Sequence, residues 1–246
     1  MRLAVITDIH GNREALAATL ADIALRKVDQ IAILGDIVGY GPDPEWCVDT
    51  VMALVAAGAI CVKGNHDNAI STPGESLNAI ARAAIDWTRP RLTPDHRAFL
   101  AKLPLTHALD DILLVHASAN DPGDWIYVTS DRSAMPSFRV CKARVIFCGH
   151  VHVPALMTCD MGGTVREHKI PMGMPIPLLR SRRWLAVVGA VGQPRDGVPQ
   201  AGYAIYDTVT NDLTFRRVPY DAAITAQKTR AAGLPETLAL RLLRGS

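Results

Sequence analysis

Five short apolar runs recur along the first 150 positions, Leu3 to Thr7, Ile31 to Leu34, Ala59 to Val62, Ile112 to Val115 and Val145 to Cys148. Uninterrupted runs of this length predict strands buried on both faces, because a strand with one wet face alternates apolar and polar residues. Helical patterns lie between the first three. Leu16, Leu20 and Ile23 give one apolar face to a helix from about Asn12 to Lys27. A second helix is framed by Asp43 as its cap, Pro44 in its first position and Gly58 at its close. Thr72-Pro73-Gly74-Glu75 has capping-box spacing before a third helix carrying Leu77, Ile80, Ala84 and Ile85, and Thr93-Pro94 opens a shorter one. This alternation predicts a mostly parallel sheet covered by helices.

After Val151 the texture changes to strands and turns. Strands are predicted at Ala155 to Cys159, Thr164 to His168, Trp184 to Gly189, Gly202 to Tyr206 and Leu213 to Arg217, with turns at Met161-Gly162-Gly163 and Asn211-Asp212. This half reads as a second, largely antiparallel sheet packed on the first. Pro- and Gly-rich stretches at 171–182 and 192–199 mark loops, and 221–244 reads as a terminal helix broken at Gly233-Leu234-Pro235. A chain of 246 residues suits one large domain, so 1–246 is expected as a single unit with 221–246 as a helical extension.

The net charge of +2 and one brief basic cluster, Arg180, Arg182 and Arg183, give no extended nucleic-acid footprint. Five cysteines without Cys-x-x-Cys spacing suit reduced, buried thiols in a cytoplasmic protein. No stretch approaches the length of a membrane span, so no membrane partner is expected.

The chemistry collects after the strands. The first run leads into Thr7-Asp8-Ile9-His10-Gly11-Asn12, the second into Gly35-Asp36 and the third into Lys63-Gly64-Asn65-His66-Asp67. The fourth reaches His116 and the fifth Gly149-His150-Val151-His152. Ligands of open α/β sheets gather outside the carboxyl ends of the strands, so these five clusters are expected to converge. Asp, Asn and His offer oxygen and imidazole donors suited to Mn, Fe, Zn, Co or Ni rather than Ca or a thiolate-bound zinc. Asp36, with two carboxylate oxygens, can bridge a pair of ions, and the glycines at 11, 35, 64 and 149 let the backbone pass close to them. Each piece alone has an ordinary reading: a surface Asp-x-His, a Gly-Asp turn, an Asx-turn at Asn65-His66-Asp67. Their occurrence together, in order, after successive buried strands outweighs those readings. For His150 and His152, alternation along a strand would put both imidazoles on one side. His96, His107 and His168 carry no motif and read as structural or solvated.

The ordered set Asp-x-His, Gly-Asp, Gly-Asn-His-Asp, a lone His and Gly-His-x-His resembles the calcineurin-like metallophosphoesterase superfamily over roughly residues 3–207. The stretches Val191-Gly192-Gln193-Pro194-Arg195-Asp196-Gly197 and Asp8-Ile9-His10-Gly11-Asn12 resemble its small bacterial and archaeal branch. The resemblance implies an α/β fold, a four-layer αββα sandwich of two mixed β-sheets flanked by helices, with a dimetal site at the C-terminal strand edge. It further implies that Asp8, His10 and His152 hold one metal and Asn65, His116 and His150 the other, with Asp36 bridging. It makes His66 the catalytic histidine and Asp67 the residue that orients it. Two divalent transition metals, Mn or Fe favoured, would activate a water for in-line attack on phosphorus.

Ser/Thr protein phosphatases continue their second motif to a phosphate-gripping arginine, whereas this chain reads Gly35-Asp36-Ile37-Val38-Gly39-Tyr40-Gly41-Pro42. The expected substrate is therefore a small phosphodiester, with nucleotides among the candidates. Phosphomonoesters, phosphoproteins and dinucleoside polyphosphates are the alternative, and Arg195 could supply the missing cation from another loop. Asn12 and Tyr40 are further candidate substrate contacts, and the amides of Gly11 and Asn12 could face the phosphate. Trp125, Tyr127 and Tyr40 could stack on a base. A nuclease would call for a basic groove, and a non-catalytic scaffold would be expected to have lost ligands. Oligomeric state is not encoded legibly.

Overall fold

Every one of the five apolar runs forms a strand, and in the first the burial of both faces explains why Leu3 to Ile6 are all apolar. In the computed structural model, which describes residues 1–72 and 77–246, β1 (Arg2–Ile6) sends Leu3 and Val5 to one face and Ala4 and Ile6 to the other. The first pair packs between two sheets and the second against helices. β2 (Gln30–Ile33) and the short β3 (Ile60–Cys61) run parallel to β1. A hairpin of β4 (Thr106–Leu109) and β5 (Ile112–Val115) follows, then β6 (Val145–Cys148), β7 (Ala155–Cys159), β8 (Val165–His168), the two-residue β9 (Ile176–Pro177), β10 (Arg183–Val187), β11 (Ala201–Asp207) and β12 (Asp212–Val218).

The strands form two six-stranded mixed sheets, ordered β3-β2-β1-β11-β12-β9 and β4-β5-β6-β10-β7-β8. Leu3, Val5, Leu34, Tyr206 and Phe215 of the first sheet and its strand ends meet Ile112, Leu114, Phe147 and Trp184 of the second in one buried cluster. The helices α1 (Arg13–Ala24) and α2 (Pro44–Ala56) cover the outer face of the first sheet. Next come α3 (Asn65–Ser71), α4 (Ala79–Thr88), α5 (Pro94–Lys102) and α6 (Asp131–Val140); α6 covers the second sheet with Ala134 and Phe138. The chain closes with α7 (Ala222–Ala231) and α8 (Glu236–Arg244), either side of the expected break. The sandwich therefore has helices outside and two sheets inside.

The expected split into an early parallel and a late antiparallel sheet is corrected. Both sheets draw on both halves of the chain: β1 pairs in parallel with β2 on one edge and antiparallel with β11 on the other, while β6 lies between parallel β5 and β10. A buried central strand must satisfy N–H and C=O groups on both edges, and the late strands supply the missing partners. Local corrections have local causes. Asp43 precedes α2 but makes no side-chain cap bond, because its carboxylate is held by Lys228 of α7. The motif read at 72–75 lies largely outside the described residues; α4 is capped by Asn78, whose Oδ1 accepts from the Ala81 amide at 2.9 Å. Among the described residues, no helix is long and apolar enough to cross a membrane, and the five cysteines are unpaired, four of them buried.

Candidate metal centre

The strand ends meet because β1, β2 and β3 run in parallel in one sheet, as do β5 and β6 in the other. The loop after β1 is stitched to the loop after β2, with Asp8 N–H donating to Gly35 O at 3.1 Å and His10 N–H to Asp36 O at 2.9 Å. The loop after β10 joins them, its Gly192 N–H donating to Asp8 O at 2.8 Å. Close approach is essential where the loops cross: a Cβ on Gly64 would fall 2.2 Å from Asp36 Oδ1. Asp8, His10, Asp36, Tyr40, His150 and His152 all adopt left-handed backbone, with φ between 50° and 67°. Such conformations cost L-residues roughly 1–2 kcal/mol each and persist where surrounding structure imposes them, most often at functional sites.

Three overlapping clusters result, Asp8 with His10 and His152, His10 with Asp36 and His66, and Asp36 with His116 and His150, all buried. Asn65 joins the third, its Oδ1 standing 3.2 Å from His116 Nε2. Asp36 sits between the groups, with Oδ2 3.6 Å from His10 Nε2 and 3.5 Å from His116 Nε2. All seven sequence-read donors are therefore assembled. The expected strand geometry at 150–152 is corrected: both residues lie in a turn, and the left-handed backbone sends His150 toward His116 and His152 toward Asp8.

Hydrogen bonds fix which nitrogens face inward. His10 Nδ1 lies 3.1 Å from Val38 O, His116 Nδ1 2.7 Å from Leu34 O, and His152 Nδ1 2.6 Å from Gln193 O. A carbonyl can only accept, so each Nδ1 carries a proton, and in its neutral form each ring turns the Nε2 lone pair into the cluster. His10 Nε2 and His152 Nε2 then stand 3.1 Å apart, lone pair against lone pair. Asp8 Oδ1 faces the same space without a hydrogen-bond partner, while Asp8 Oδ2 accepts from Thr7 Oγ1 and the His150 amide. Converging lone pairs with no proton between them fit a cation. The donor set, imidazole and oxygen without thiolate, fits a divalent transition metal.

The electrostatics agree. Burial keeps His10 well below its usual pKa, and burial with neighbouring His116 takes His150 to about 3. Burial likewise lowers His66 to about 4. Burial alone would raise Asp8 and Asp36; the neighbouring imidazoles, His152 beside Asp8 and His116 beside Asp36, hold both low. His116 is the exception: burial opposes its charge, but Asp36 and then Asp8 lift it to about 9. The protein alone thus draws a proton in to offset two buried carboxylates, the role a bound cation would take.

Two readings are corrected. Asp67 does not orient the His66 ring. Its Oδ2 accepts from the amides of Asp36 (2.8 Å) and Gly64 (3.0 Å), and its Oδ1 from those of Ile37 (2.9 Å) and Val38 (3.4 Å). The carboxylate is a tie between the loops after β2 and β3, and His66 Nδ1 has no partner. Asn12 is a structural residue: Oδ1 caps α1 through the Ala15 amide and Nδ2 donates to Gly192 O. The Gly11 and Asn12 amides are also spent, on Ile37 O and Ile9 O.

Asp36, Asn65, His66, His150 and His152 line a cavity of about 410 Å³. Its remaining wall includes Tyr40, Leu77, Ala81, Trp125, Tyr127 and Arg195. Tyr40 packs between His10 and His66, ring centroids 4.6 and 4.4 Å away, and Tyr127 stacks on His150 at 4.0 Å. Sequence reasoning gave no role to Gln193, which holds His152 through its main chain; a backbone acceptor leaves no mark on residue type.

Residues 1–154 match the family model described as calcineurin-like phosphoesterase. An uncharacterized protein of Methanocaldococcus jannaschii is 35% identical across 99% of this chain and 98% of its own length. With these matches the fold and site take their place: the chain belongs to the calcineurin-like phosphoesterase family. The crystal structure of a metallophosphoesterase from Sphaerobacter thermophilus is 40% identical, with a TM-score of 0.89 over 100% of this chain and 99% of that one. A hypothetical protein from Pyrococcus horikoshii, 20% identical, shares the fold at a TM-score of 0.79 over 100% of this chain and 98% of its own.

Proposed function

We propose that this protein is a metal-dependent phosphodiesterase of small substrates, with nucleotide esters among the candidates. The observation that carries the reading is the pair of facing Nε2 lone pairs of His10 and His152 beside the unpartnered Asp8 Oδ1. In this reading Asp8, His10 and His152 would hold one divalent cation and Asn65, His116 and His150 a second, with Asp36 placed between the two groups. Two such cations supply Lewis acidity toward phosphoryl oxygens and acidify a water toward neutral pH. The mixed imidazole and oxygen donors, without thiolate, suit divalent transition metals, of which Mn or Fe is the choice proposed. The 40% identical metallophosphoesterase supports the reaction class.

The chain's own groups do the rest. Carbonyls of Val38, Leu34 and Gln193 keep three imidazoles in the ligating tautomer. His66, on the cavity wall beside Asp36, meets the phosphoryl group or the departing oxygen, a contact typically contributing about 10²- to 10⁴-fold. Leu77, Ala81, Trp125 and Tyr127 offer apolar surface on which a second ester substituent can leave water, which favours diesters over monoesters. Metal analysis and turnover with Mn²⁺ test this. Bis(p-nitrophenyl) phosphate is expected to give a higher kcat/KM than p-nitrophenyl phosphate. Absence of turnover on every ester tried with metal bound would remove the hydrolase reading, and a higher value for the monoester would overturn the diester preference.

A further inference from the structure

The loop after β10 carries a cation prepared for an anion. Arg195 lines the cavity with Asp36 and His66, and its Nε and Nη2 donate to the same oxygen, Gln193 Oε1, at 3.2 and 2.8 Å. Gln193 is only 1% exposed, so its amide serves no solvent-facing purpose. The same residue accepts the His152 Nδ1 proton on its main-chain oxygen, and the Arg195 amide donates to His152 O at 3.2 Å. Guanidinium and candidate metal ligand are therefore fixed to one another through a few bonds. The Tyr40 ring lies beneath, its centroid 5.6 Å from the Arg195 Cζ, and adds a cation–π contact.

The support is as informative for what it lacks. A guanidinium usually finds a carboxylate; among the described residues none forms an ion pair with Arg195, and its neighbour Asp196 is committed to Arg217. A neutral amide orients the cation without cancelling its charge, which leaves that charge for a ligand. Arginine's planar fork matches phosphate oxygens and binds them with charge-assisted hydrogen bonds. Among the described residues, Arg195 is the one arginine or lysine lining the cavity, and the exposed Asp124 is the remaining charged residue on its wall outside the candidate metal cluster.

We propose that Arg195 grips a non-bridging oxygen of the phosphoryl group, and that Gln193 is a positioning residue whose neutral side chain aims the guanidinium and keeps it uncompensated. The proposal rests on the phosphoesterase reading for its substrate, but it is tested without turnover. The probe is inorganic phosphate, titrated calorimetrically into the full-length Mn²⁺-loaded protein, with metal content and thermal melts for each variant. Arg195→Ala is expected to weaken phosphate binding by about tenfold or more, with Arg195→Lys in between. Gln193→Glu keeps the acceptor and the packing but adds a carboxylate to the guanidinium. It is expected to weaken phosphate as strongly as Arg195→Ala at unchanged metal content, whereas a merely structural Gln193 would tolerate it. Wild-type protein that fails to bind phosphate, or an Arg195→Ala variant within twofold of wild type, overturns the clamp. Wild-type protein that binds phosphate with this dependence on Arg195 yet hydrolyses no ester supports the clamp and removes the catalytic reading alone.

Discussion

Gly39 tests the role of His66 without touching it. A Cβ at Gly39 would lie 2.2 Å from His66 Nδ1, where about 3.4–3.5 Å is an ordinary contact, so the imidazole must retreat by roughly 1.2 Å. Misplacement of a catalytic group by about 1 Å can cost on the order of 10²-fold in rate. Gly39 also has φ +84°, so Gly39→Ala adds backbone strain of about 1–2 kcal/mol. The expected result is a roughly 100-fold lower kcat on bis(p-nitrophenyl) phosphate, a melting point a few degrees lower, and full metal content. Gly58→Ala is the control, because Gly58 has φ +104° with no atom within 4 Å of the added carbon. It should share the strain and keep the rate. In a His66→Ala background, Gly39→Ala should slow turnover little further, since the group it displaces is gone. A Gly39→Ala enzyme with wild-type kcat, or two losses that simply multiply, would refute the reasoning.

Asp36→Asn should lower metal content by inductively coupled plasma analysis together with turnover, because a neutral amide offers one oxygen where two clusters share a carboxylate; unchanged stoichiometry would remove the shared contact. Asp67→Asn must turn an NH₂ toward backbone N–H donors, so at least one of the four N–H···O bonds is replaced by facing donors in a buried site, at a cost of about 1–3 kcal/mol. Urea melts are expected to show a loss of this size, and a variant within about 0.5 kcal/mol, on the order of an ordinary surface change, would contradict the loop-tie role. Asp22 gives a pH signature: burial would raise its pKa, but hydrogen bonds from Arg26, Tyr203 and Arg216 bring it to about 2. A carboxyl with a depressed folded pKa stabilises above its unfolded value near 3.9, and the benefit disappears as pH falls toward 2. Allowing for solvent screening, Asp22→Asn should remove about 1–2 kcal/mol at pH 5 and little at pH 2 in denaturant titrations; equal losses at both would exclude the linkage.

The site was more legible than the sheets. Residue type marks a donor, and position after a buried apolar run marks the strand end, so Asp8, His10, Asp36, Asn65, His116, His150 and His152 could be read one by one. Pairing is different. Nothing in β11 says that it lies beside β1 rather than beside β7, because both are short, apolar and flanked by turns, and the choice is made by tertiary contact. Two elements escaped for reasons of their own: β9 has only two residues, and α6 contains Pro136, which argues against a helix from sequence. The left-handed backbone at six site residues is also invisible in residue types that normally avoid it. Asp67 misled because it adjoins His66 in sequence, while its oxygens face the backbone of a different loop.

The donors come from both sheets. Asp8, His10, Asp36 and Asn65 follow strands of one, and His116, His150 and His152 follow strands of the other. Any ion held here would rivet two layers whose contact is chiefly greasy, with a few polar links such as that of the His150 amide to Asp8 Oδ2. Occupancy would thus be felt as mechanical cohesion across the entire slab, worth about 2.7 kcal/mol once free metal reaches a hundred times its dissociation constant.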